Sequence, residues 1–150
     1  MLTIPSSMVT AKLSAPAQLA ALERAARRPD PHAKILYGVA LQRLGHFVSA
    51  ERQFAAAARL APNDPEALAA ADVGRFTKAA PQAAFSRLGP LSRRFPRAQT
   101  VRFHLGLMLI WLGRQALPQA RHELALARAR APRSPLGREA NLFLSRLRSR

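Results

Sequence analysis

Apolar residues recur along this chain at helical spacing, and the pattern divides it into eight helical segments with no strand. From Ser14 to Arg28, Leu19, Leu22, Ala25 and Ala26 fall on one helix face, with Ser14 placed to cap and Pro16 in the first turn. From Pro135 to Arg148, Leu136, Ala140, Phe143, Leu144 and Leu147 make an apolar face, and Arg138, Arg146 and Arg148 a wet one. A helix with one dry and one wet side is what the end of a stacked array requires. Between these flanks the pattern repeats. Pro62, Pro96 and Pro132 are 34 and 36 residues apart. Ahead of each comes an Ala, then a bulky apolar residue, then a small or apolar one, at twelve, eight and five residues before the Pro. They are Ala50, Phe54 and Ala57; Ala84, Leu88 and Leu91; and Ala120, Leu124 and Ala127. A fixed period of this length is the signature of a repeat architecture.

The segment 31–64 carries Gly38, Leu41, Leu44, Gly45, Phe47, Ala50, Phe54, Ala57, Leu60 and Pro62. These residues and their order resemble a tetratricopeptide (TPR) repeat over its full length. The residue types have physical reasons. Gly38 and Ala50 let two antiparallel helices approach closely, Phe54 fills the space between them, Gly45 ends the first helix, and Pro62 stops the second. The segment 99–134 matches in its first helix through Leu105, Gly106, Leu109, Leu112 and Gly113. Its turn is two residues longer, and Pro118 suits the first turn of the helix that follows. The middle segment, 65–98, is degenerate. Asp72 takes a small-residue place and Arg75 an apolar one, so a one-residue slip that turns Val73 and Phe76 inward is open. Gly89-Pro90 predicts a kink or break in its second helix. The expected fold is therefore an all-α, TPR-like solenoid of about three repeats within a single domain over 14–150. Residues 135–148 would cap it, after a flexible segment 1–13.

The resemblance also implies where a partner binds. The concave surface of such arrays comes from fixed positions in the first helix of each repeat. Here they hold His32, Ile35, Val39, Gln42 and Arg43; then Glu66, Ala69, Val73, Phe76 and Thr77; then Thr100, Phe103, Leu107, Ile110 and Trp111. The lining is mostly apolar, which suits a peptide or helix with apolar anchors, with Phe103 and Trp111 as hot spots. A second arrangement is equally open. A terminal helix could fill the groove, and Trp111 would then be core. The clamp by which related co-chaperones hold acidic tails is missing, because its places carry Ile35, Val39, Ala70, Thr100 and His104, which cannot bind carboxylate as Lys, Asn and Arg do.

Charge changes the picture of partners. The 150 residues hold 24 Lys and Arg against 8 Asp and Glu, a net charge of +16. Residues 1–86 contribute ten cations and six anions, and 87–150 fourteen and two. Arg87, Arg93, Arg94 and Arg97 cluster at the end of the middle repeat, and Arg121, Arg128, Arg130 and Arg133 follow on the last one. Such a surface attracts nucleic acid, acidic protein or anionic lipid. RNA or ribosome association through this basic half is the alternative to protein capture, and a scaffold segment of a longer chain is a third reading. No Cys is present, which excludes disulfides, thiolate metal sites and a cysteine nucleophile. The apolar run 105–113 is far short of a membrane span, and the N-terminus is unlike a secretory signal, so a cytoplasmic protein is expected.

Catalytic chemistry finds no foothold. His122-Glu123 opens like a zinc-binding HExxH, but Leu126 stands in the last place. Phosphate-binding Gly-rich loops are absent, and Ser86, Ser92 and Ser145 lack the glycines of a nucleophile elbow. His32, His46, His104 and His122 fall on different helices or turns and read as solvated or edge residues rather than ligands. A non-enzymatic protein without metal or cofactor is expected.

Overall fold

The computed structural model describes residues 16–76 and 80–148, and all of the regular structure in them is helical. Eight α-helices follow in order: α1 (Pro16–Ala26), α2 (Pro31–Arg43), α3 (Phe47–Leu60), α4 (Pro65–Gly74), α5 (Pro81–Arg94), α6 (Gln99–Trp111), α7 (Leu117–Arg130) and α8 (Pro135–Arg148). A short 3₁₀ turn, Arg114–Ala116, leads into α7. The contacts group into two units that divide between Arg75 and Phe76. In the first, α1 packs on α2, α2 on α3, and α3 on α4. In the second, α5 packs on α6, α6 on α7, and α7 on α8.

The helix ends follow from local chemistry. Asp30 accepts hydrogen bonds from His32 N (3.0 Å) and Ala33 N (3.2 Å), and Asp64 accepts one from Glu66 N (3.0 Å). These carboxylates satisfy amides that the first helical turn leaves unpaired, and the Pro that follows each has no N–H to satisfy. Ser134 does the same for α8 by accepting from Gly137 N at 3.0 Å. Gly45 and Gly113 adopt φ of 82° and 106° after α2 and α6, a conformation in which a β-carbon is strained. The three repeat prolines each lie two residues past a helix end. A proline disfavours the α region for the residue before it, and Ala61, Phe95 and Ala131 indeed swing to φ/ψ of −130°/69°, −126°/68° and −154°/82°.

Close approach uses glycine against a large side chain. A β-carbon added to Gly38 would lie 2.4 Å from Phe54 Cε1, and one added to Gly74 would lie 2.6 Å from Phe54 Cδ2. The Phe54 ring is thus held between α2 and α4 and is fully buried. In the second unit Gly106 opposes Leu124 in the same way, at 2.7 Å from Cγ. Of the kink or break expected at Gly89-Pro90, the break does not occur. The helix α5 runs from Pro81 to Arg94 through Gly89 and Pro90 without a break. Proline there forfeits one backbone hydrogen bond, yet Ala84, Leu88 and Leu91 still bury on one face and hold the helix together.

Candidate functional site

The expected groove residues separate by burial. In the first unit Ile35, Val39, Gln42 and Val73 are buried, and Arg43 is exposed. In the second, Phe103 and Leu107 are buried, Phe76 and Ile110 are half-buried, and Trp111 is 42% exposed. Ile35, Val39, Gln42, Val73, Phe103 and Leu107 are thus covered in this structure, and of the expected lining Arg43 and Trp111 are the exposed side chains. For Phe103 the cover is visible. Phe143 on α8 meets its ring at 6.1 Å between centroids and 68° between planes. The C-terminal helix therefore closes this part of α6, while the indole at the end of α6 stays open. Trp111 packs instead on Phe76, at 5.9 Å and 54°. Thr77 and the segment 1–13 lie outside the described residues.

The surface that remains sits where the first helix of a pair turns into the second. Trp111 lies five residues after Gly106, and Arg43 five after Gly38, so the two are equivalent in the repeat. In the first unit this turn exposes Leu44, Phe47 and Val48. Leu44 and Phe47 hold places in the repeat pattern, which does not by itself mark them as surface. The signal was present, since three large apolar residues flank a glycine in a tight turn, where few neighbours can cover them.

Of the basic residues, Arg87, Arg93, Arg94, Arg97, Arg121, Arg130 and Arg133 are exposed and Arg128 is half-buried. Some are already engaged. Arg94 lies over the Phe95 ring at 4.8 Å, Arg121 donates to Leu147 O at 3.0 Å, and Arg128 donates to Asn141 Oδ1 at 3.2 Å. Arg102, not singled out from sequence, makes a mostly buried ion pair with Glu123, Nη1 to Oε2 at 2.8 Å. That pair accounts for the carboxylate of the His122-Glu123 motif.

Among the four histidines, His32, His46 and His122 are exposed, whereas His104 is buried rather than at an edge. Its Nδ1 lies 2.7 Å from Thr100 O and 3.3 Å from Thr100 Oγ1. A carbonyl can only accept, so Nδ1 carries the hydrogen. Nε2 is buried without a partner. Burial lowers the His104 pKa to about 4, against a smaller opposing effect of the Thr100 hydrogen bond. Among the described residues no three His, Asp or Glu side chains come together as metal ligands. No helix among them is long and apolar enough to cross a membrane. No protein-family model, no curated protein and no solved structure matches this chain.

Proposed function

We propose that the chain is a TPR-like helical-repeat module, a non-enzymatic binder that captures a protein partner by an apolar anchor. The observation that carries this reading is the half-open indole of Trp111 beside Phe76, at the end of a helix whose other residues from Thr100 to Leu109 are almost all buried. Tryptophan left exposed against a second aromatic ring costs solvation, and such residues dominate binding energy when a partner covers them. Ile110 extends the patch. The solenoid assignment is supported by the recurring pairing of a first-helix glycine with a second-helix apolar residue, Gly38 with Phe54 and Gly106 with Leu124. The net charge of +16 favours a partner segment rich in Asp and Glu around its apolar anchor.

The test is selection from a displayed library of acidic peptides that each carry one Leu, Phe or Trp. Peptides selected on the native chain should lose about tenfold or more in affinity for Trp111→Ala, since a hot-spot truncation costs about 2 kcal/mol. The helical circular dichroism of the variant should match the parent. Selected peptides that bind both chains equally would refute the patch as the binding site.

A further inference from the structure

Two clefts, one in each unit, repeat the same construction, and Trp111 lines neither. The first has a volume of about 370 Å³ and is lined by Arg28, Pro29, Lys34, Ala56, Arg59 and Leu60, with Arg27 alongside. The second has about 300 Å³ and is lined by Pro96, Arg97, Arg102, Leu126, Ala129 and Arg130. Their correspondence is positional. Lys34 and Arg102 each stand fourth in the first helix of a pair. Each is tied to a backbone carbonyl that precedes its helix, Lys34 Nζ to Ala26 O at the end of α1 and Arg102 Nε to Pro96 O in the turn after α5. Ala56 and Leu126 lie six residues after the helix-packing alanines Ala50 and Ala120, and Arg59 and Arg130 fall nine and ten after them.

The rims carry the chemistry. Arg27 is engaged by Glu23 at 3.3 Å and Arg102 by Glu123 at 2.8 Å. Arg28 and Arg59 in one cleft, and Arg97 and Arg130 in the other, are exposed, and none makes a side-chain hydrogen bond or ion pair among the described residues. Two unneutralised guanidinium groups over a small apolar floor of Pro, Ala and Leu repel each other until an anion is placed between them. Guanidinium is a planar fork of donors that matches phosphate oxygens in pairs. The recurrence of the site points to a ligand whose charge also recurs. A peptide has such regular charge only in an acidic run, whereas a nucleic acid has it at every unit.

We propose that these two clefts bind backbone phosphates of a nucleic acid, with Arg28 and Arg59 gripping one phosphate and Arg97 and Arg130 another. Base identity plays no part: besides the arginines only Lys34 brings a side-chain donor to either cleft, and its Nζ is already bonded to Ala26 O. The proposal is independent of the peptide-binding patch.

The experiment is fluorescence anisotropy of a labelled oligouridine of about 20 nucleotides on the full chain across a salt series. Loss of a phosphate contact lowers the slope of log Kobs against log salt by about 0.7 for a single strand. Arg28→Gln with Arg59→Gln, and separately Arg97→Gln with Arg130→Gln, should each weaken binding at low salt by about tenfold and flatten the slope by about 0.7 or more. Arg43→Gln with Arg114→Gln, exposed arginines outside both clefts, should change it far less. Arg59→Lys with Arg130→Lys should keep most of the slope but lose affinity, because the charge stays and the fork is lost. Polyglutamate, inorganic phosphate and anionic phospholipid vesicles serve as competitors. Equal losses in cleft and control variants, or no saturable binding by the parent, would overturn the proposal. So would polyglutamate or vesicles binding more tightly than RNA through the same four arginines.

Discussion

Replacing His104 by Leu should abolish a specific part of the acid sensitivity of this fold. The neutral imidazole is buried, with its Nδ1 hydrogen given to Thr100 O and its Nε2 facing no donor or acceptor. Protonation would place a charge there with nothing to receive the second hydrogen. The folded pKa is about 4, below the ordinary value of 6.5 that the unfolded chain keeps. The sign follows from which state takes up protons. Above pH 6.5 both states are neutral and His104 adds no pH dependence. As pH falls from 6.5 toward 4, the unfolded chain is protonated first, so stability declines, and it levels off below the folded pKa. Linkage gives a loss of about 2 kcal/mol at pH 5 and about 3 kcal/mol at pH 4, relative to pH 7.5. The assay is urea denaturation followed by helical circular dichroism, on the parent and on His104→Leu, between pH 7.5 and 4.5. Other groups also titrate in this window. Glu66, for example, has a raised pKa, chiefly from burial and then from Asp64, and so acts in the opposite sense. The quantity to read is therefore the difference between the two proteins. The parent should lose about 2 kcal/mol more than the variant by pH 5. Parallel curves would refute the reasoning, because they would mean that His104 reaches solvent or finds a partner for Nε2.

Two further substitutions test the packing. Gly38→Ala should destabilise the chain by about 1–3 kcal/mol in urea melts, since the new methyl meets the Phe54 ring at 2.4 Å and the ring has no open side to move toward. Glu123→Ala should cost about 3 kcal/mol by leaving Arg102 mostly buried without its counter-charge, and pairing it with Arg102→Met should recover much of that loss in a double-mutant cycle.

Much of the fold is legible in the sequence because its punctuation is local. Aspartate before proline opens α2 and α4, and proline two residues past α3, α5 and α7 forces the preceding residue out of the helical region. Gly45 takes the positive φ its place implies. What the sequence did not reveal depends on which helix lies against which. Phe103 looks like groove lining when positions are counted along α6, whereas in the structure it is buried and meets Phe143 of α8. His104 sits beside it and is buried with it. Glu123 has no basic neighbour at helical spacing on α7, and its partner Arg102 comes from α6 instead. Of the kink or break expected at Pro90, the break does not form, with Leu88 and Leu91 buried on either side of it. The paired clefts have the same origin. Arg28 and Arg59 are thirty-one residues apart, and only the packing of α1, α2 and α3 makes them neighbours.

Whether the aromatic surface proposed as a partner site at the end of α6 is accessible can be read from one side chain. Trp111 is the single tryptophan of the chain, so its fluorescence reports on that surface alone. Acrylamide quenching of the native chain should approach that of the urea-unfolded chain to within about a factor of two, as expected for an indole 42% exposed. A blue-shifted emission that acrylamide scarcely quenches would show the indole sealed in the interior and would contradict the account.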